Sequence, residues 1–212
     1  LSTNSKRMPM KKLFNILVLF LSIVPFISAQ EGVDIWTTTS TTIGRVYGMA
    51  IDQSNQSIMY ACGLDQGVNK TTNGGVNWTQ MNTGLLNIQI LSIAICKNTP
   101  QVLYAGTNFG ANEGVYKTTN GGTSWTQVNT GIAEPSGGIG VQSVMVHPDN
   151  PNIAYIAVFN GTADAVNGLY KTTDGGANWF TITNGIGTIK NFLSLAMSPT
   201  DPNTIYAGSS FQ

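Results

Sequence analysis

One eight-residue pattern occurs three times, as Thr71 to Trp78 (TTNGGVNW), Thr118 to Trp125 (TTNGGTSW) and Thr172 to Trp179 (TTDGGANW), and it limits the chain more than any other feature. Each copy follows a short alternating run ending in lysine: Gly67-Val68-Asn69-Lys70, Gly114-Val115-Tyr116-Lys117 and Gly168-Leu169-Tyr170-Lys171. Each leads into a polar, β-prone run such as Trp125-Thr126-Gln127-Val128. This order reads as strand, tight turn, strand. The Asn or Asp of the turn (Asn73, Asn120, Asp174) brings an oxygen that accepts backbone N–H groups, the glycines permit positive φ, and the Trp closes the hairpin as a large apolar anchor.

The positions Thr71, Asn73, Gly75 and Trp78, then Thr118, Asn120, Gly122 and Trp125, then Thr172, Asp174, Gly176 and Trp179, resemble the Asp-box, or BNR, repeat. That repeat belongs to sialidases, sortilin-type receptors, xyloglucanases and photosystem II assembly factors, and its pattern is Ser/Thr-x-Asp-x-Gly-x-x-Trp. The resemblance implies an all-β fold, a β-propeller in which the box is a structural corner away from the binding face. Only Asp174 keeps the carboxylate, so an acceptor oxygen rather than a charge is what the turn requires.

A second unit repeats in step with the first: Tyr47 to Cys62, Leu91 to Gly106, Gln142 to Ala157 and Leu193 to Gly208. Its landmark tyrosines, Tyr60, Tyr104, Tyr155 and Tyr206, are 44, 51 and 51 residues apart, a period suited to four-stranded propeller blades. Each unit reads as an apolar strand, a turn rich in Pro, Asn and Asp, and a second apolar strand. With the hairpin around the box this gives antiparallel blades over residues 46–82, 90–129 and 141–183, then two strands of another, about three and a half in all. The expectation is a partial propeller over residues 30–212 that continues into further blades of a larger ring of about seven. Trp36-Thr37-Thr38 echoes Trp78-Thr79-Gln80 without a box and reads as an orphan fourth strand that completes a last blade.

Residues 1–29 fall outside that unit. Leu1 to Arg7 read as sequence upstream of a start at Met8 or Met10, and Lys11-Lys12 then precede an apolar run from Leu13 to Phe26 and a small-residue end at Ala29. This reads as a secretory signal cut after Ala29, so the protein is expected to be secreted, periplasmic or held at the cell surface. The apolar run falls short of the roughly 20 residues that span a bilayer, and no membrane span is expected. Of ten basic residues four precede Ala29, so six face ten acids in the rest, a balance of −4. Nucleic acid is not an expected partner, because its recognition rests on Lys/Arg clusters.

Spacing between repeats locates the candidate binding face. First strands lie ten residues from second strands in every copy, and third lie eleven from fourth. Second to third strand varies as 7, 10 and 13, and the step between blades as 16, 20 and 17. Alternate turns of an up-and-down sheet share an end, so the variable loops gather on one face, where binding usually lives. Candidates there are Asp65, Gln66, Phe109, Asn112, Glu113, Glu134, Asp164 and Lys190, within loops that include Phe159. Amides, acids and single aromatics suit a carbohydrate or a protein ligand, and equally suit ordinary solvated loops.

Glycoside hydrolysis needs two carboxylates flanking the scissile bond. Tyr60-Ala61 followed by Asp65 and Gly67 resembles a xyloglucanase segment with the Asp displaced by one residue. A hydrolase with Asp65 in its cleft, its partner acid lying elsewhere, is therefore the alternative to a binding or scaffold module. Sialidases hold their substrate carboxylate with three arginines, and Arg45 is the only one after the leader. One histidine (His147) and two dispersed cysteines (Cys62 and Cys96) suggest neither a metal site nor a cofactor. The two cysteines fall at different heights on different blades and are expected to be free thiols.

Overall fold

The computed structural model describes residues 43–132, 138–159, 168–182, 184–186 and 192–210, together with the backbone of 26–29 and 36–39. Three four-stranded antiparallel sheets follow one another as blades. Blade 1 comprises β3 (Gly48–Ile51), β4 (Met59–Gly63), β5 (Gly67–Thr71) and β6 (Thr79–Gln80). Blade 2 comprises β7 (Ile90–Ile95), β8 (Leu103–Thr107), β9 (Val115–Thr118) and β10 (Thr126–Gln127). Blade 3 comprises β11 (Gly140–Val146), β12 (Ala154–Phe159), β13 (Gly168–Thr172) and β14 (Phe180–Thr181). A pair, β15 (Phe192–Met197) and β16 (Ile205–Ser209), stands where a fourth blade begins. In every blade the strands run in sequence order, and the first strands β3, β7, β11 and β15 stack side by side from blade to blade.

Strand β2 (Trp36–Thr39) pairs with β1 (Phe26–Ala29), with Trp36 opposite Ala29 and Thr39 opposite Phe26. The expected strand is therefore present, but its partner, β1, lies in the segment read from the sequence as the end of a leader rather than in a blade. The two segments are joined by a short connection and both are rich in β-prone residues, which favours a local antiparallel pairing over a distant one.

The box builds its corner the same way three times. Thr71 Oγ1 accepts the Gly75 N–H (3.0 Å) and donates to Asn73 Oδ1 (2.9 Å), which in turn accepts the Asn77 N–H (2.9 Å). Thr118, Asn120, Gly122 and Ser124 repeat these bonds at 2.8 to 3.1 Å. Thr172, Asp174, Gly176 and Asn178 do so at 2.8 to 2.9 Å. Both glycines of each box lie at positive φ, 67° and 90° in the first, where an L side chain is strained. The box N–H groups also reach the other fixed turn of their blade: Gly74 to Ser57 O, Gly121 to Gln101 O and Gly175 to Asn152 O, at 2.9 to 3.0 Å. The two turns of constant length thus share one end of the blades.

The tryptophans join blades to each other. Trp125 donates its backbone N–H to Thr83 O (2.9 Å) and its indole N–H to Met81 O (2.9 Å), both in blade 1 or the linker after it. Trp179 does the same to Thr130 O (2.8 Å) and Val128 O (2.8 Å) of blade 2. Their rings are 3% and 2% exposed. Trp125 lies in a core with Tyr60, Val68, Leu85 and Ile90, and Trp179 in one with Tyr104, Val115, Ile132 and Val141. Trp78 differs: it is half-buried beside Ile43 and Ala61, and its indole N–H stays within its own box, on Gly75 O (3.1 Å).

Cys62 and Cys96 are buried and free. Burial pushes the Cys62 thiol up to about 12. Cys96 donates instead to the carbonyls of His147 and Pro148 in the next blade.

Replacing Trp125 or Trp179 by Ala is expected to cost about 3–5 kcal/mol, the usual range for a buried Trp. Trp78→Ala is expected to cost clearly less, and urea denaturation midpoints that fell equally for all three would contradict the blade-to-blade role. The boxes also differ in acid. The Asn178 side chain, its backbone N–H and the Thr172 hydroxyl hold the Asp174 carboxyl down at about 2, against 3.8 unperturbed. A folded-state value below the unfolded one stabilises above about pH 4 and loses that contribution as pH falls toward 2. Asp174→Asn is therefore expected to flatten the loss of stability across that window, and identical pH slopes for variant and parent would count against it.

Candidate functional site

At the opposite end of the blades the connections differ in length. The β4–β5 connection is a turn of three residues, Leu64, Asp65 and Gln66, with Asp65 exposed at its tip. Gln66 is fixed from below. Its carbonyl accepts the side-chain amides of Gln80 (3.0 Å) and Asn82 (2.9 Å), while Asn82 Oδ1 accepts the Val68 N–H (2.9 Å). The cleft beside Gln66, lined by Ile43, Gly44, Arg45 and Ala61 among others, encloses about 10 Å³, room for a single water at most.

The β8–β9 loop brings together Phe109, Asn112 and Glu113. Asn112 is the one described non-glycine residue at positive φ (57°), and its carbonyl accepts the hydroxyl of buried Tyr116 at 2.7 Å. The Glu113 carboxylate accepts the Gly110 N–H on one oxygen (2.7 Å) and the Ile139 N–H on the other (2.9 Å). It therefore ties its own loop to the linker entering blade 3. Phe109 meets Phe159, at the end of β12, edge to face, with centroids 5.9 Å apart and planes at 71°. This pair bridges blades 2 and 3 at the loop end and leaves both rings partly exposed. Glu134, Asp164 and Lys190 lie outside the described residues.

Asn82 and its counterpart Asn129 were not among the residues singled out in the sequence. Asn129 accepts the Val115 N–H (2.8 Å) and donates to Glu113 O (2.7 Å), so each Asn closes the loop end of its outer hairpin. Their signal was available: both stand four residues after a box Trp, in Asn82-Thr83-Gly84 and Asn129-Thr130-Gly131.

The acids of this face, among the described residues, are Asp65 and Glu113, and Glu113 is committed to two backbone groups. No hydrogen bond joins Asp65 to another candidate side chain among the described residues. Among the described residues, no group of three His, Cys, Asp or Glu side chains gathers to hold a metal ion. His147 sits at the other end, in the turn after β11, where its Nδ1 accepts the Asp149 N–H (3.2 Å).

Lysines line the sides of the blades. Lys70, Lys117 and Lys171 each lie over the ring of a second-strand tyrosine, Tyr60, Tyr104 and Tyr155, at 5.2 to 5.3 Å. Burial lowers the ammonium pKa of Lys70 and Lys117. Lys70 Nζ donates to Gly121 O (3.1 Å) and Lys117 Nζ to Gly175 O (2.9 Å), each in the box of the following blade.

Residues 66–210 match the family model described as Sortilin-Vps10 (Sortilin, neurotensin receptor 3). No curated protein matches the chain in sequence. Among solved structures, a GH74 enzyme from Niastella koreensis is similar at 25% identity and TM-score 0.60, over 77% of this chain and 26% of its own. An ancestral GH74 enzyme is similar at 24% identity and TM-score 0.59, over 77% of this chain and 21% of its own. YCF48 bound to D1 peptide is similar at 18% and 0.50, over 74% of this chain and 45% of its own. The chain thus spans about a quarter of the length of the GH74 enzymes. The fold is a β-propeller of the BNR type. Among the described residues no helix is long and apolar enough to cross a membrane.

The Glu113 brace is open to a direct test. Glu113→Ala removes both acceptor oxygens, and the Gly110 and Ile139 amides are expected to exchange with solvent at least tenfold faster while the blades stay folded. Hydrogen bonds to a charged group contribute about 1.5–3 kcal/mol, and partial exposure places this pair toward the lower end. Unchanged exchange at both amides would mean the carboxylate holds neither loop.

Proposed function

Because the chain belongs to the Sortilin-Vps10 family, we propose that it is an exported propeller module that binds a carbohydrate or a protein segment through the loop end of its blades. One observation carries this reading: the three box turns at one end are closed by the same repeated bonds, whereas the other end carries loops of unequal length, held still by Glu113, Asn82 and Asn129. Side chains on braced loops bind without first losing much freedom, which favours affinity. The partly exposed Phe109 and Phe159 supply an apolar edge between two blades, of the kind on which a sugar ring or an apolar side chain packs. Asp65 and the amides beside it supply polar contacts. YCF48, similar in fold, has been seen with a peptide bound, which supports a peptide as one ligand class.

The second reading, a glycoside hydrolase, is favoured by the similarity to GH74 enzymes. On this chain it would rest on Asp65, exposed at its turn, with a partner acid supplied from outside the described residues. The nearby Glu113 is ill suited to proton transfer because both of its oxygens already accept backbone N–H groups.

A glycan array and a peptide array probed with the full-length protein separate these readings. The expected outcome is specific retention that Phe109→Ala or Phe159→Ala weakens about tenfold, a loss of roughly 1.4 kcal/mol, with little change in melting temperature. Retention indifferent to both substitutions would move the site off this face. Release of reducing ends from a β-glucan, abolished by Asp65→Asn, would replace the binding module with the hydrolase.

A further inference from the structure

The linker from blade 1 to blade 2 exposes more apolar surface than the fold asks of it. In the run Leu85-Leu86-Asn87-Ile88-Gln89-Ile90, Leu85, Asn87 and Ile90 turn inward, the first and last of them into the core around Trp125. Leu86 and Ile88 turn outward, 67% and 40% exposed. The blades on both sides are four-stranded, so this is not the exposure of an unpaired sheet edge. Nor does the linker require it. With Gly84, Gly131 and Gly185 in register, Ile132 and Ile186 match buried Leu85, whereas small residues, Ala133 and Gly187, match Leu86. Large apolar side chains gathered on a surface mark contact sites.

The pair is held in place and belongs to a longer strip. The Leu85 N–H donates to Asn82 O (2.9 Å), and Asn87 Oδ1 accepts the Gln89 N–H (2.9 Å). Gln89 is stitched to the β8–β9 loop: its carbonyl accepts the Asn108 N–H (2.7 Å) and its Oε1 accepts the Asn108 side-chain amide (3.2 Å). Asn87 Nδ2 adds a bond to Asn108 O (3.4 Å). Phe109 follows directly and meets Phe159 of blade 3 edge to face. Leu86, Ile88, Phe109 and Phe159 thus run along the loop end from the joint of blades 1 and 2 to that of blades 2 and 3, each exposed in part or in large part.

We propose, on the premise that the loop end is the binding face, that this strip takes an extended, neutral or basic segment of another protein with large apolar side chains at alternate positions. Alternate side chains of an extended chain project to one side about 7 Å apart, a spacing suited to packing along a narrow strip. A sugar fits less well, because its hydroxyls need partners and the polar groups beside the strip are engaged. Asn87, Gln89 and Asn108 bond to one another, and Glu113 and the Asn112 carbonyl bond within and beside their own loop. Hydroxyls left unpaired against Leu86 and Ile88 would carry a cost. A small apolar ligand needs an enclosing cavity of about 300 Å³ or more, whereas the cleft beside Gln66 at this end encloses about 10 Å³. Bilayer surfaces attract clusters of Lys and Arg. The charged residues described at this end are Arg45, Asp65 and Glu113, one base against two acids, and the same balance disfavours an acidic segment.

The test presents the full-length protein to an array of synthetic peptides of randomised sequence and, in parallel, to a glycan array. Retained peptides are expected to share spaced leucine, isoleucine, valine or phenylalanine and to be poor in acids. The strongest of them, labelled and followed by anisotropy, is expected to lose about tenfold in affinity when Leu86→Ser and Ile88→Ser are combined. Leu86→Ala is expected to weaken it as well without lowering the melting temperature, since the next linker carries alanine at that position. Peptide binding that Phe109→Ala weakens but both Leu86 variants leave unchanged, or retention of glycans in place of peptides, would overturn the proposal and leave the loop-end face standing. No retention on either array, or retention indifferent to Phe109→Ala, Phe159→Ala and the Leu86 variants alike, would overturn both. Co-sedimentation with phosphatidylserine vesicles that Leu86→Ser abolishes would overturn the protein segment in favour of a membrane.

Discussion

Two hydrogen bonds from one tryptophan set the architecture. The backbone and indole N–H groups of Trp125 and Trp179 both end on the preceding blade, and neither group would find water in a ring that is almost wholly buried. Losing the acceptors would therefore cost more than the bonds themselves contribute. The contact dictates the linker as well. A Cβ on Gly84 would stand 2.2 Å from the Trp125 carbonyl oxygen, and one on Gly131 would stand 2.3 Å from that of Trp179. The Asn-Thr-Gly linker is thus one joint: the Asn closes its own hairpin, the Thr carbonyl receives the next blade, and the Gly leaves room for it.

What the sequence revealed and what it hid divide along chain distance. The box corner involves atoms two to four residues apart, so Thr71, Asn73 and Gly75 are readable from spacing alone. The strand order follows from the two constant turn lengths. The destination of the tryptophan was not readable in the same way, because its acceptors lie 44 and 51 residues earlier. Treating the three tryptophans as equal anchors missed that Trp78 has no described blade before it and turns its indole N–H inward. For Trp36 to Thr39 the strand was legible and the partner was not, since pairing depends on what lies near in space and Phe26 to Ala29 was assigned to the leader.

On the loop face, residue type was a weaker guide than geometry. Glu113 has the chemistry of a ligand contact, but its oxygens are turned to backbone N–H groups. Asn112 has the look of an exposed amide, but its main contribution is to tolerate a left-handed backbone and offer its carbonyl to Tyr116. Phe109 keeps an exposed edge only because Phe159 of the next blade holds it in place. A loop that binds must first be stiff, and part of its polar complement is consumed in making it so.

The Trp joint also gives the array a direction. At both described joints, blade 1 with blade 2 and blade 2 with blade 3, the earlier blade receives a side chain from its successor, so these interfaces are head to tail and the two faces of blade 2 meet their neighbours through different patches. A chain made from its N-terminus completes each receptor before the part that enters it exists. Blade 1 is whole when residue 83 has been made, whereas Trp125 arrives some forty residues later. Assembly can then proceed like a zip with a fixed starting end: each blade serves as the template for the next, and a late blade that folds badly leaves the earlier ones standing.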